Sequence, residues 1–222
     1  MSAFPDKAKV VIIGSGIVGN SVAYHLAQKG WTDMVMVDKG PLPNPGGSTG
    51  HASNFIFPVD HSRVNTHLTQ DSMDQYMELG LYRQCGGIEL GQTEERMQEL
   101  KRRMASAKAW GEEAVLLDPE GVKSLFPWVN TDKILGGFYC PRVGVVDSLQ
   151  TGTIFRDRAK EMGALQVFAN TEVQDLQVRN GKIQGVVTDR GEIQAEYVIV
   201  CCGVWSPRLD RMAGASIPLM PA

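Results

Sequence analysis

Three glycines and one carboxylate are the first residues in this sequence whose types and spacing could do chemistry. Gly14, Gly16 and Gly19 form G-x-G-x-x-G directly after the apolar run Lys9–Ile13 and at the start of a helical pattern. Gly14 permits a tight turn. Gly16 lets backbone N–H groups approach a pyrophosphate. Gly19 lets the helix sit close to the strand, and the helix N-terminus adds positive potential. Asp38 closes the next apolar run, Met34–Val37. A carboxylate there can accept hydrogen bonds from ribose hydroxyls. The order strand, turn, helix, strand, acid points to a dinucleotide site. A packing turn with no ligand leaves the position of Asp38 unexplained.

A second group follows at once in "NPGGSTGHASNF", residues 44–55. Gly46 and Gly47 remove side-chain bulk, Ser48 and Thr49 offer hydroxyl donors, and His51 offers an imidazole. A neutral imidazole is a competent nucleophile. From the residues alone, His51 is either such a nucleophile or a polar loop residue making a hydrogen bond. His25, His61 and His67 have no comparable context, and solvated positions on helices or helix starts suffice for them.

These groups need elements to position them. The sequence predicts a strand over Lys9–Ile13, a helix from Ile17 to Lys29 stopped by Gly30, and a strand over Met34–Val37: a βαβ unit with a parallel sheet. Val18, Val22 and Leu26 make one helix stripe, and Gly19, Ala23 and Ala27 make a neighbouring stripe suited to close packing on that sheet. Further helices are expected over 61–79, over 92–111 with Thr93 as N-cap, from Asp118 to before Pro127, and from Asp147 to about Met162. Strands are expected over 86–91, 114–117, 133–140 and 164–169, then a meander turning at Asn180-Gly181 and Arg190-Gly191, then a separate apolar strand over 197–203. Trp128 and Trp205 suit either the core or a site, with the core favoured.

The chain has 222 residues, 43% hydrophobic and 21% charged, with net charge −3. This is a globular composition, long enough for one or two domains. A pI near 5.8 and the lack of a basic cluster argue against nucleic acid as a partner. No stretch approaches membrane-spanning length. Cys85, Cys140, Cys201 and Cys202 form no C-x-x-C pair, so no metal site is expected. The cysteine usage and the absence of a signal-peptide core suggest a reduced, cytoplasmic setting.

The segment "VVIIGSGIVGNSVAYHLAQKGWTDMVMVDKGPLPNPGGSTGHASN" resembles the N-terminus of the FAD-dependent dimethylglycine/sarcosine dehydrogenase and oxidase family, in the D-amino-acid-oxidase superfamily. Similar stretches are "ILGGFYCPRVGVVD" (134–147) and "VIVCCGVWSPRL" (198–209). The resemblance implies a glutathione-reductase-like Rossmann FAD-binding domain, of α/β class, with part of an antiparallel substrate-domain sheet. FAD is implied rather than NAD because Met34–Val37 leads not into another helix but into a loop that resembles the one running over the flavin in glutathione-reductase-like enzymes, and because the 197–203 strand ending in Gly203 resembles that class's second FAD contact.

In that family the histidine of the G-S-T-x-H-A segment is joined covalently to the flavin 8α-methyl carbon; by match this is His51. The cofactor-binding set so implied is Gly14, Gly16, Ile17, Val18, Gly19, Asp38, Lys39, Gly47, Ser48, Thr49, His51, Ala52, Val173, Cys202, Gly203 and Trp205. The implied domains are 1–84 and 146–222 for FAD, with 85–145 belonging to the substrate domain. The family's substrate sheet continues past the region matched by "ASIPLMPA" (215–222), so catalytic residues are expected beyond Ala222 and none within the chain. The strands at 86–91 and 133–140 are then expected to show unpaired edges. The implied reaction oxidises an N-methyl amine, such as dimethylglycine or sarcosine, by hydride transfer to the flavin. Electrons then pass to oxygen or an electron-transfer protein. Tetrahydrofolate is implied only for a later region. Two other readings stand beside it: a noncovalent FAD amino-acid or alcohol oxidase of the same superfamily, and an inactive FAD-binding fragment.

Overall fold

The computed structural model describes residues 3–219; the outermost ends of the expected domain ranges lie outside them. In chain order the elements are β1 (Lys7–Ile13), α1 (Ile17–Gln28), β2 (Met34–Val37), a 3-10 turn (Ser48–His51), β3 (Phe55–Ile56), α2 (Arg63–Glu78), β4 (Tyr82–Gln84), β5 (Gly87–Gly91), α3 (Glu94–Ala109) and β6 (Val115–Leu117). There follow α4 (Pro119–Leu125), β7 (Gly136–Cys140), β8 (Gly144–Val146), α5 (Ser148–Glu161), β9 (Leu165–Phe168), β10 (Val173–Arg179), β11 (Lys182–Thr188), β12 (Gly191–Val200) and α6 (Ser206–Met212). The chain divides into two compact units. One joins the residues up to Ala52 with those from Ser148 on, and the other is Ser53–Asp147.

The first unit is built on a six-stranded sheet in the order β10-β11-β12-β1-β2-β9. β1 lies between β2 and β12 and is parallel to both. Side chains alternate across it. Val10 and Ile12 join Met34, Met36, Ala23, Ala27 and Ala159 in one core, while Val11 and Ile13 join Val35, Val37, Ile193 and Leu209 in another. Both faces are covered, which is why the strand reads as an unbroken apolar run.

α1 lies against this sheet through its small residues. Gly19, Ala23 and Ala27 are buried, whereas Val18 is 60% exposed and Val22 and Leu26 are half-buried. The small stripe thus makes the close approach, and Val18 turns away from the core. The helix stops as expected, with Gly30 at φ 80° donating its N–H to the Ala27 carbonyl at 2.9 Å.

The last meander strand and the apolar strand expected over 197–203 are one element, β12. Its first residues pair antiparallel with β11, ending at Gly185↔Gln194; from Gln194 onward it pairs parallel with β1. Among the described residues no strand covers β12 beyond Gln194 on the side that β11 leaves.

The second unit holds two three-stranded sheets, β3-β8-β4 and β5-β7-β6. The boundary expected between 84 and 85 falls instead between 52 and 53, and that between 145 and 146 falls between 147 and 148. The reason is strand pairing: Phe55 faces Val145 and Tyr82 faces Val146, so β3 and β4 are tied to β8. β7 is also corrected. It lies between β5 and β6 and has no open edge; β5 and β6 form the edges.

Phe138, Leu100, Ala107 and Val59 form the core of this unit. Thr93 caps α3 through the Arg96 N–H, and Asp118 caps α4 through the Gly121 N–H. Glu112 has a fully buried side chain whose Oε1 accepts from Gln70 Nε2 at 2.7 Å and Arg142 Nη1 at 2.8 Å. Trp128 is not in the core: it is 84% exposed and packs edge-on against Phe126. It sits directly after Pro127, in a turn past the end of α4. Among the described residues no helix is long and apolar enough to cross a membrane, and no group of three or more His, Cys, Asp or Glu could hold a metal ion.

Candidate functional site

The first unit contains a cavity of about 680 Å³ at the carboxyl ends of β1, β2 and β12. That is where ligands bind in open α/β sheets. All the expected site residues line it except Gly19 and His51. Gly19 acts in packing. A Cβ there would lie 1.9 Å from the Gly14 carbonyl oxygen, so α1 could not keep its seat. Gly14, at φ 105°, leaves no room either, since its Cβ would meet the Cys201 carbonyl oxygen at 2.5 Å. The motif glycines therefore hold β1, α1 and the end of β12 together around the mouth of the turn.

The turn is braced by polar groups. The Ser15 N–H donates to Asp38 Oδ2 at 2.7 Å, and the Gly40 N–H donates to Asp38 Oδ1 at 2.8 Å. Buried Asn20 donates through Nδ2 to the Ser15 carbonyl at 2.9 Å and accepts at Oδ1 from Ser15 Oγ at 3.1 Å. The 44–55 loop closes onto the same helix end: Thr49 Oγ1 accepts the Ile17 N–H at 2.9 Å, satisfying one of the donors that α1 leaves open. Gly16 is the close-approach position, because a Cβ there would lie 3.2 Å from Thr49 Oγ1.

His51 ends the 3-10 turn. It is exposed, and its Nδ1 lies 3.2 Å from the Gly47 carbonyl oxygen. Asn44 accepts the Gly46 N–H at 3.1 Å and stands where any side chain at Gly50 would go. Ser148, the first residue of α5, donates Oγ–H to the Thr49 carbonyl at 2.7 Å and also lines the cavity.

At the other end stand Cys202, Gly203 and Trp205. Cys202 donates Sγ–H to the Ile13 carbonyl at 3.3 Å. Burial, reinforced by the neighbouring Asp38 carboxylate, pushes its thiol up to about 12. It therefore stays neutral and supplies no nucleophile. Burial also raises the Cys201 thiol. Trp205, expected in the core or in the site, lines the cavity; it is 46% exposed, and Lys39 Nζ lies 4.8 Å from its ring centre. Val173 is buried at the start of β10, beside an exposed Arg208–Glu172 ion pair at 3.6 Å. Sequence reasoning missed Ser148, Thr171 and Arg208 as lining residues. Asp147 was legible as the start of a helix, but nothing local says that the next hydroxyl faces the 44–55 loop.

The arrangement suits an elongated, doubly negative nucleotide. Backbone N–H groups and the α1 N-terminus lie at one point, a carboxylate lies one strand away, and an apolar indole and cysteines lie beyond. A family model for FAD-dependent oxidoreductases, DAO, matches residues 9–222. The chain belongs to this FAD-dependent oxidoreductase family. Mouse sarcosine dehydrogenase is 34% identical over 97% of the chain, and mouse pyruvate dehydrogenase phosphatase regulatory subunit is 33% identical over 98%. The chain spans about 25% of the length of each of these curated relatives.

Among solved structures, the L-proline dehydrogenase of P. horikoshii superposes with a TM-score of 0.88 at 27% identity, over 95% of this chain and 57% of that one. The resemblance to the dimethylglycine and sarcosine dehydrogenases read from the sequence is borne out, as is a mixed α/β fold of the DAO type.

Proposed function

We propose that this chain holds the FAD of an oxidoreductase acting on N-methylated amino acids such as sarcosine or dimethylglycine, with the flavin joined to His51. The observation that carries the reading is the cavity itself. It runs from the glycine turn and the Thr49-capped end of α1, past Asp38, to Gly203, with the His51 turn on the same loop as its Gly47–Thr49 wall. Ile17, Val18 and the turn glycines would take the pyrophosphate, Asp38 and Lys39 the ribose side, Val173 the adenine end, and Gly203, Trp205 and Ala52 the flavin side.

FAD, when bound, accepts a hydride from the substrate carbon next to nitrogen. The chain's own residues bind and orient it and exclude water from the apolar end. His51 would supply the imidazole nitrogen for one N–C bond to the 8α-methyl, with its N–H and one methyl C–H broken; the two protons and two electrons released would pass to dioxygen, giving hydrogen peroxide. The groups that handle the substrate amine belong to residues outside this chain in the family's plan. The electron acceptor is oxygen or an electron-transfer protein, and tetrahydrofolate enters only with a further region. A cytoplasmic setting is part of this reading, supported by four free cysteines.

Denaturing mass spectrometry after incubation with FAD tests the attachment. One added FAD is expected, and His51→Ala is expected to remove it. Flavin released wholly by acid precipitation would instead support a noncovalent oxidase. One observation favours a binding role without turnover: the near-equal identity to a relative named as a regulatory subunit. A dye-reduction assay with sarcosine and dimethylglycine, on the chain with and without any natural downstream sequence, separates the two.

A further inference from the structure

The Ser48–His51 turn is too short to hold itself. A single 3-10 turn leaves most of its backbone groups without internal partners, and here the Gly50 N–H reaches the Gly47 carbonyl at 3.2 Å. Two bonds reach it from α1 and α5, and both end on Thr49. Thr49 Oγ1 takes the Ile17 N–H of α1, and the Thr49 carbonyl takes the Ser148 hydroxyl of α5 at 2.7 Å.

The two helices are themselves locked. Tyr24 stacks on Phe155 with ring centres 4.9 Å apart, and a Cβ on Gly152 would lie 3.0 Å from Asn20 Nδ2. Thr49 is thus held at its hydroxyl and at its carbonyl by one packed helix pair, two residues before His51. The two anchors differ in what else they touch. The Thr49 hydroxyl sits at the helix end where a phosphate is to bind, so changing it disturbs cofactor affinity. The Ser148 hydroxyl, on a residue that also lines the cavity, bonds the loop's backbone carbonyl, so its loss acts on the turn as well as on the cavity wall.

We propose that Ser148 is a positioning residue for covalent flavin attachment: its hydroxyl, bonded to the Thr49 carbonyl, sets the turn that presents His51 to the cofactor. This rests on the reading that His51 is the attachment site. The bond does not create the nucleophile. It narrows the range of positions from which the imidazole must reach the 8α-carbon, so it acts on the attachment rate more than on binding.

The test uses the full chain with FAD as the probe and two readouts. Covalent incorporation is followed over time by denaturing mass spectrometry in the His51 protein. The Kd for FAD is measured separately in a His51→Ala background. Ser148→Ala is expected to slow incorporation about fivefold, the value of one neutral hydrogen bond, and by a larger factor than it raises Kd. Ser148→Thr, which keeps the hydroxyl, is expected to restore the rate. Ser148→Cys, a weaker donor of similar size, is expected to fall between.

Incorporation by Ser148→Ala at the wild-type rate overturns the proposal. So does a loss in Kd as large as the loss in rate, which would make Ser148 a direct cofactor contact. Wild-type protein that never carries covalent flavin overturns the attachment reading, and this proposal with it. The two failures are therefore told apart by the wild type.

Discussion

Asp38 Oδ2 accepts the Ser15 N–H at 2.7 Å, so the acid at the end of the second strand holds the glycine turn before any ligand does. Its other oxygen holds Gly40. A carboxylate has about four acceptor sites, so ribose hydroxyls can still be accepted. Charge-assisted bonds contribute about 1.5–3 kcal/mol each. Asp38→Ala is expected to weaken FAD binding roughly tenfold to a hundredfold and also to lower the melting temperature of the cofactor-free chain. FAD titration and a thermal melt read the two effects. A mutant with unchanged values in both would exclude the bracing and the ribose roles together.

The glycines of the turn should differ sharply from glycines elsewhere. Gly19→Ala places a methyl 1.9 Å from the Gly14 carbonyl oxygen, a backbone atom that cannot step aside without moving β1. About 3 kcal/mol or more of destabilisation is expected. Gly30→Ala meets nothing within 4 Å and bears only the strain of φ +80°, about 1 kcal/mol. Urea denaturation of both variants checks the order. Equal midpoints would mean that α1 does not sit where the glycine needs it.

Alkaline pH should loosen the protein through one buried and two partly buried groups. Burial pushes the Cys202 thiol from an ordinary 9.0 to about 12, the Cys140 thiol from 9.0 to about 11 and the Tyr82 phenol from 10.0 to about 12. Each keeps its proton in the folded state at a pH where the unfolded chain has lost it. Stability from these groups is therefore full below pH 9 and declines as pH rises through 9 to 12. Melting temperature should fall over that window, and Cys202→Ala should flatten the fall. A pH-independent melt from 8 to 11 would count against the buried thiols.

In the other unit, Glu112 is the residue whose loss should cost most. Its fully buried carboxylate serves Arg142 and Gln70 at once, and Oε2 has no hydrogen-bond partner among the described residues. Removing it leaves both donors short of an acceptor. Arg142 keeps Asp74 at 2.8 Å and is partly solvated, so the loss should sit at the low end for a broken buried pair, about 3 kcal/mol. Chemical denaturation of Glu112→Ala measures it. A change under about 0.5 kcal/mol, the range of surface substitutions, would show that water reaches the carboxylate.

Much of the first unit was legible because its signals are local. The glycine turn, α1 with its Gly30 stop and β2 each declare themselves within a few residues, and α3 carries its own cap in Thr93. What could not be read depends on partners far along the chain. β3 has two residues and β4 three, too few for any alternation to register, and they exist because β8 pairs with both. β12 looked like two strands because its burial pattern changes where it exchanges one neighbour for another. Trp128 looked like core because size and apolarity do not say which way a side chain faces after a proline. Ser148 was silent for the same reason: its role is set by a carbonyl 99 residues earlier.

The pairing of β1 with β12 also has a consequence for synthesis. β1 and β2 can meet as soon as both have left the ribosome, but the second edge of β1 must wait for Gly191–Val200. In between, all of Ser53–Asp147 is made, and that unit pairs its strands only among themselves. It can complete its hydrogen bonds while the nucleotide sheet is still open on both sides, β2 awaiting β9 and β1 awaiting β12. Gly14 meets its neighbour, the Cys201 carbonyl, only at the end of this interval. Long-range strand pairing of this kind is slow and exposes apolar surface meanwhile. A chaperone attending the nascent chain therefore has Met34–Val37 to shield until β9 is made and Val10–Ile13 to shield longer still, and fusing a fast-folding partner ahead of them would not shorten the wait.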